Sequence, residues 1–162
     1  MIKSILASDH AAVDHLLDEA VAALDAADMD EAFQKSDLFW ARLAMHIRAE
    51  HLHLFPAVLR SQSAGPESAA LVARLHSDHD IFMRELIAVI KQFRSLGGES
   101  LDVADIRKRL ETVRTLLAVH NRIEEEKIYV DERLGLAPNE LAQLASSIQH
   151  EITNLPPRFR TA

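Results

Sequence analysis

Apolar residues return every third or fourth position along most of this chain, the period of helices with one buried face. Ser8 stands where it can cap a first helix running to about Ala26, with Leu6, His10, Val13, Leu17, Val21 and Leu24 along one stripe. Asp28-Met29-Asp30 is short and polar and reads as a turn. A second helix follows from about Asp30 to Arg60, its stripe formed by Phe39, Leu43, His46, Glu50, His53/Leu54 and Ala57. Pro56 falls late in it and is expected to kink or loosen its last turn. Ser63-Ala64-Gly65-Pro66 is the clearest breaker, and Pro66 suits the first position of a third helix continuing to about Leu96. The inward residues of that helix are Val72, Leu75/His76, His79, Phe82/Met83, Leu86, Ile90 and Phe93, and Gly97-Gly98 stops it.

The fourth helix spans about Asp102 to Leu134, with Leu110, Val113, Leu117, His120, Glu124 and Ile128 inward and Gly135 at its end. Pro138 opens a shorter helix to about Asn154, and Pro156-Pro157 closes the ordered part. Four long helices with short connections predict an all-α fold: an antiparallel up-down-up-down four-helix bundle with a short additional C-terminal helix packed across it. The reading is one domain over residues 1–162, the bundle at about 8–134 and the extra helix at about 138–154.

Composition narrows the chemistry. The chain has no cysteine, which excludes disulfides, iron–sulfur clusters, thiolate zinc sites and cysteine nucleophiles; any metal must be held by imidazole and carboxylate. A net charge of −7 argues against a nucleic-acid partner, because phosphate binding needs a basic surface. No stretch approaches the roughly 20 apolar residues of a membrane span. Met1 to Ala7 is too short for a secretory apolar region before Asp9 interrupts it. A cytoplasmic protein with no membrane partner is the expectation.

Nine histidines are many for this length, and their placement follows an internal repeat. The first helix holds Ser8-Asp9-His10 and the third Ser77-Asp78-His79. The second holds His46-Ile47-Arg48-Ala49-Glu50 with Phe55 nine residues past the histidine; the fourth holds His120-Asn121-Arg122-Ile123-Glu124 with Tyr129 at the same distance. Two copies of one helical hairpin imply a pseudo-two-fold axis, which suits a pair of metals. Residues i and i+4 sit about 6 Å apart along a helix on one face, so an imidazole and a carboxylate so spaced can converge on one ion. The second carboxylate oxygen can reach a neighbouring ion. His10, His46, Glu50, His79, His120 and Glu124 thus supply four imidazoles and two carboxylates for two metals, with positions left open for a small molecule.

One His-x-x-x-Glu pair alone is usually a surface contact, and one inward histidine is usually a hydrogen-bonded core residue. All six residues here fall on apolar stripes, where unpaired charge would cost several kcal/mol per group. Glu50-His51-Leu52-His53 also matches the Glu-x-x-His of ferritin-like bundles, but the second copy has Lys127 where His53 stands. Phe33, Phe39 and Trp40 read as core at the bundle end, His15 and His150 as surface, and Glu124-Glu125-Glu126 as a solvated face apart from its first member.

The segments His46-Ile-Arg-Ala-Glu50-His-Leu-His-Leu-Phe-Pro56 and His120-Asn-Arg-Ile-Glu124-Glu-Glu-Lys-Ile-Tyr129 resemble the hemerythrin-like, or HHE cation-binding, family over about Ser8 to Val130. The resemblance implies a four-helix bundle and an oxo- or hydroxo-bridged centre of two iron ions, with His10, His46, Glu50, His79, His120 and Glu124 as ligands. The family often has a second acid after the motif glutamate; Glu125 fits, whereas His51 stands at the other copy. The animal oxygen carriers have two histidines four apart on the third helix, whereas His76 and His79 are three apart, a pattern closer to the bacterial, symmetric branch. His76 is either a fifth imidazole ligand or a neighbour. A histidine-rich donor set favours ferrous iron over high-valent chemistry. The expectation is a binding protein for O₂, NO or peroxide, more than a dedicated enzyme. Peroxide or nitric oxide reduction, iron-centre repair and a metal-responsive interaction module are the alternatives. The cysteine-bearing segment of relatives linked to repair does not occur here. The oligomeric state stays open, a homodimer included.

Overall fold

The structure, a computed structural model, describes residues 1–95 and 101–160. It is helical throughout, with no strand among the described residues. The α-helices are α1 (Ile2–Asp25), α2 (Met29–Ala49), α3 (Phe55–Arg60), α4 (Pro66–Arg94), α5 (Val103–Ile123) and α6 (Pro138–Thr153). Two π-helical turns, Glu50–Leu54 and Glu124–Ile128, follow α2 and α5, and short 3₁₀ turns occupy Asp131–Leu134 and Pro157–Phe159.

Several boundaries follow from local chemistry. Asp28 and Asp102 cap α2 and α5, accepting from the N–H groups of Glu31 and Asp105 at 3.1 and 3.0 Å. Pro66 and Pro138 open α4 and α6, where a missing N–H leaves no bond unmade. Gly135 takes the left-handed conformation (φ 63°) after the 3₁₀ turn, which suits a residue without Cβ.

The first helix begins six residues before Ser8. Ile2 and Leu6 are fully buried, and the Ile2 N–H donates to Asp131 at 3.1 Å, so distant packing and a distant carboxylate replace the cap. The second long helix is divided into α2, a π-turn and α3. The break starts at Glu50, ahead of Pro56; the wide turn recurs in the second copy, which has no proline, so proline is not its only cause. The fourth helix does not reach Leu134. Its α-helix ends at Ile123, and after the π-turn the chain extends at Val130 before the 3₁₀ turn. The chain also stays ordered past Pro156-Pro157, where Arg158 reaches Asp37 at 3.1 Å. The predicted end of the third helix at Leu96 and its stop at Gly97-Gly98 lie outside the described residues.

α1 packs against α2 and α5, α4 packs against the same two helices, and α6 lies along α2. Their apolar faces form two clusters. One gathers Val13 to Leu24, Phe39, Leu43, Phe82, Leu86 and Ile106 to Leu117; the other gathers Ile2, Leu6, Leu54, Phe55, Leu75, Ile128 and Ile148. Along each of the four helices the histidines and glutamates of the repeat fall between residues of the first cluster and residues of the second. A polar layer therefore divides an apolar core, where burying a Leu or Phe side chain contributes roughly 1.5–3 kcal/mol and burying an uncompensated charge opposes folding.

Candidate metal centre

All six residues singled out by the repeat meet in this layer. His10, His46, His79 and His120 are 2–5% exposed, and Glu50 and Glu124 are fully buried. They form two groups whose potential ligand atoms lie within 4.8 Å of one another: His10, His46, Glu50 and Glu124 (group A), and His79, His120, Glu50 and Glu124 (group B). Both glutamates belong to both groups.

Each carboxylate is split between the groups. In A, Glu50 Oε1 lies 3.4 Å from His46 Nε2 and Glu124 Oε2 lies 3.2 Å from His10 Nε2. In B, Glu50 Oε2 lies 3.3 Å from His79 Nε2 and Glu124 Oε1 lies 2.8 Å from His120 Nε2. The Nε2 atoms of His79 and His120 are 3.0 Å apart. Donors on one ion with bonds of about 2.1 Å stand roughly 3 Å from their neighbours, so these spacings fit a shared cation. Glu50 Oε2 and Glu124 Oε1 are buried, and in the metal-free protein their close partners are the His79 and His120 Nε2 atoms, which act as donors only while those rings are protonated there. Two buried carboxylates facing one another call for positive charge between them, from protons on the imidazoles or from a metal ion.

The far nitrogens of the rings are also held. His46 Nδ1 donates to Asp9 at 2.8 Å, and Asp9 accepts from Arg42 at 2.7 Å; His120 Nδ1 donates to Asp78 at 3.0 Å. His10 Nδ1 donates to Glu125 at 2.9 Å, and His79 Nδ1 lies 2.8 Å from His51 Nε2. Such bonds fix the tautomer that leaves Nε2 facing inward as a donor to metal.

In the metal-free protein the same charges act on protons. Burial pulls the His46 and His79 imidazoles down, but the facing carboxylates outweigh it and hold them up at about 10 and about 9; His120 is raised in the same way. Burial alone would raise Glu50 and Glu124, yet the surrounding imidazoles bring both below the ordinary carboxylate range. Burial pushes the Tyr129 phenol up, and the two glutamates push it further. His51, partly buried and facing His79 and His76, is depressed to about 4.

The π-turns explain two neighbours that helical periodicity does not place. Tyr129 N–H donates to the Glu124 carbonyl at 2.8 Å, an i→i+5 bond that stacks residue 129 over residue 124. The Phe55 N–H makes the same bond to the Glu50 carbonyl. In a regular α-helix a residue five positions on would point elsewhere. The recurrence of an aromatic residue nine positions after each histidine was the available signal for both. The Asp before each lone histidine was likewise the signal for Asp9 and Asp78.

One expectation needs correction, and the open alternatives can be placed. Glu125 is not merely part of a solvated face, since it holds His10. His76 belongs to neither group; it is exposed and stacks on His51 with ring centroids 4.0 Å apart. His53 lies 3.5 Å from Glu151, outside both groups. His15 and His150 are exposed, as expected.

The family model of the hemerythrin HHE cation binding domain matches residues 1–130. The chain belongs to that family. No curated protein and no solved structure matches it. A helical fold, a buried His/Glu cluster able to hold metal and membership of a cation-binding family together support a cation-binding role.

Proposed function

We propose that the protein holds two iron ions, one in each group, and binds O₂ or a related small redox molecule such as NO or peroxide, as a store, sensor or scavenger. The observation that carries this reading is the division of both glutamates between two histidine pairs. A pair of adjacent iron ions would supply open positions for a small molecule and electrons to share with it.

The chain's own residues do the rest. His10, His46, Glu50, His79, His120 and Glu124 hold the ions; Asp9, Asp78, Glu125 and His51 orient the rings; the apolar clusters on either side keep water out. Cavities of about 680 and 740 Å³ at the bundle end are lined by residues such as Arg60, Arg74 and Glu140, and none of the six ligands is among their walls. A site so enclosed suits a diatomic ligand better than a larger substrate, which favours a binding protein over a dedicated enzyme.

In this reading residues 1–162 form one hemerythrin-like domain, with the long helices running up-down-up-down and α6 as an addition. No helix among the described residues is long and apolar enough to cross a membrane, and we place the protein in the cytoplasm. The test is anaerobic purification, an iron count per chain, and exposure to O₂. Two irons per chain and a new ligand-to-iron charge-transfer band are expected; iron-free protein, or loaded protein with no spectral response to O₂, NO or peroxide, would remove the proposal.

A further inference from the structure

The two groups share their carboxylates but not their surroundings. The Tyr129 hydroxyl oxygen lies 2.6 Å from Glu50 Oε1, 2.9 Å from Glu124 Oε2, 3.1 Å from His10 Nε2 and 3.2 Å from His46 Nε2. These are the four donor atoms of group A. Neighbouring donors on one ion with bonds of about 2.1 Å stand roughly 3 Å apart, so the hydroxyl keeps the spacing of a fifth donor beside these four. A simple hydrogen-bonding bystander would need to approach only one or two of the four.

The other half of the repeat delivers no such atom. Its π-turn brings Phe55 into the layer, with its ring parallel to His79 (6° between planes, centroids 6.0 Å apart). Phe82 meets His120 edge-on at 5.1 Å. Group B therefore has four protein donors and two apolar walls, and group A has a fifth donor atom, the Tyr129 oxygen, already in reach.

We propose that the Tyr129 oxygen, its phenol proton released to solvent as the cation binds, is the fifth protein ligand of the ion in group A, and that small exogenous ligands therefore bind at the ion in group B, beside Phe55. The assignment rests on the two-ion reading above. An ion with fewer protein ligands keeps more positions open, and apolar walls exclude the water that would compete for them.

Tyr129 is the only tyrosine of the chain, so any tyrosine signal from the iron-loaded protein comes from it. The experiment loads the full chain with iron, counts the metal, oxidises it to the ferric state and records absorption and resonance Raman spectra. It then titrates azide as the small-ligand probe. Two irons per chain, a tyrosine-to-Fe(III) charge-transfer band with enhanced ring modes and one azide per chain are expected. Tyr129→Phe should keep both irons, lose the band and take two azides. Phe55→Tyr should strengthen the band and weaken azide binding at least tenfold. Fewer than two irons in the wild-type protein would remove the two-ion reading and this assignment with it. Two irons without a tyrosine band would overturn Tyr129 as a ligand and leave the two-ion reading standing. Azide stoichiometry unchanged in Tyr129→Phe would overturn the placement of the exogenous ligand.

Discussion

Asp9 stands behind His46 as Asp78 stands behind His120, but Glu125 stands behind His10 where His51 stands behind His79. The α1/α2 half and the α4/α5 half of the bundle thus present the same inward residues on different supports. Arg42 ties Asp9 in place, whereas Leu116 occupies the corresponding position on α5 and is exposed. A carboxylate behind an imidazole raises its basicity as a ligand; a second imidazole does so far less. Duplication accounts for the common plan, and the polar neighbours decide how alike the two sites are.

The sharpest way to break the comparison is to remove what the halves share. Glu124→Ala and Glu50→Ala should each lower bound metal from two ions per chain to less than one, because each glutamate serves both groups. His10→Ala or His79→Ala should spare the opposite group and keep about one. Metal analysis after gel filtration distinguishes the outcomes, and equal partial losses in all four variants would contradict shared carboxylates.

A second test removes the metal and changes the pH. The folded-state values of His46 and His79 are raised to about 10 and about 9 from 6.5. Their protonated forms therefore stabilise the metal-free fold in full below about pH 6.5, and that stabilisation is lost as pH rises through 9 to 10. The melting temperature of chelated protein should fall by several degrees between pH 7 and 10, at about 2–4 °C per kcal/mol for this chain length. Metal-loaded protein, whose ligand nitrogens carry no proton to lose, should stay level over that range.

Asp9→Ala and Asp78→Ala come next. Loss of a carboxylate behind a ligand histidine typically costs 10–100-fold in metal affinity. Asp9→Ala should lie at the upper end, because it also strands Arg42, and Asp78→Ala at the lower, because Asp78 is 26% exposed and water can replace it. Chelator competition measures both. The smallest effect is expected from His51→Glu, which gives His79 the support His10 already has. Affinity should rise by less than about tenfold in group B and not at all in group A.

Much of this was legible in the chain. Most residues on the stripe of each long helix are buried, although Met83 and Phe93 are only partly so and Leu16, Ile47 and Val89 are buried outside the stripes. The repeated Ser-Asp-His and His-x-x-x-Glu segments name the six residues that meet. Failures cluster where contacts come from far along the sequence. Ser8 does not cap α1, because Ile2 and Leu6 are buried against distant residues and Asp131 takes the first N–H. The fourth helix stops short because its register widens at Glu124.

The sequence by itself determined the helices, the duplicated hairpin and the donor atoms on each inward face, because those depend only on a residue's angle about its own helix axis. The tertiary structure decided how both carboxylates divide between the two histidine pairs, which groups stand behind each ring, and that residues 55 and 129 reach the layer at all. These depend on the register between helices and on two i→i+5 turns, and neither leaves a mark on a 3.6-residue period.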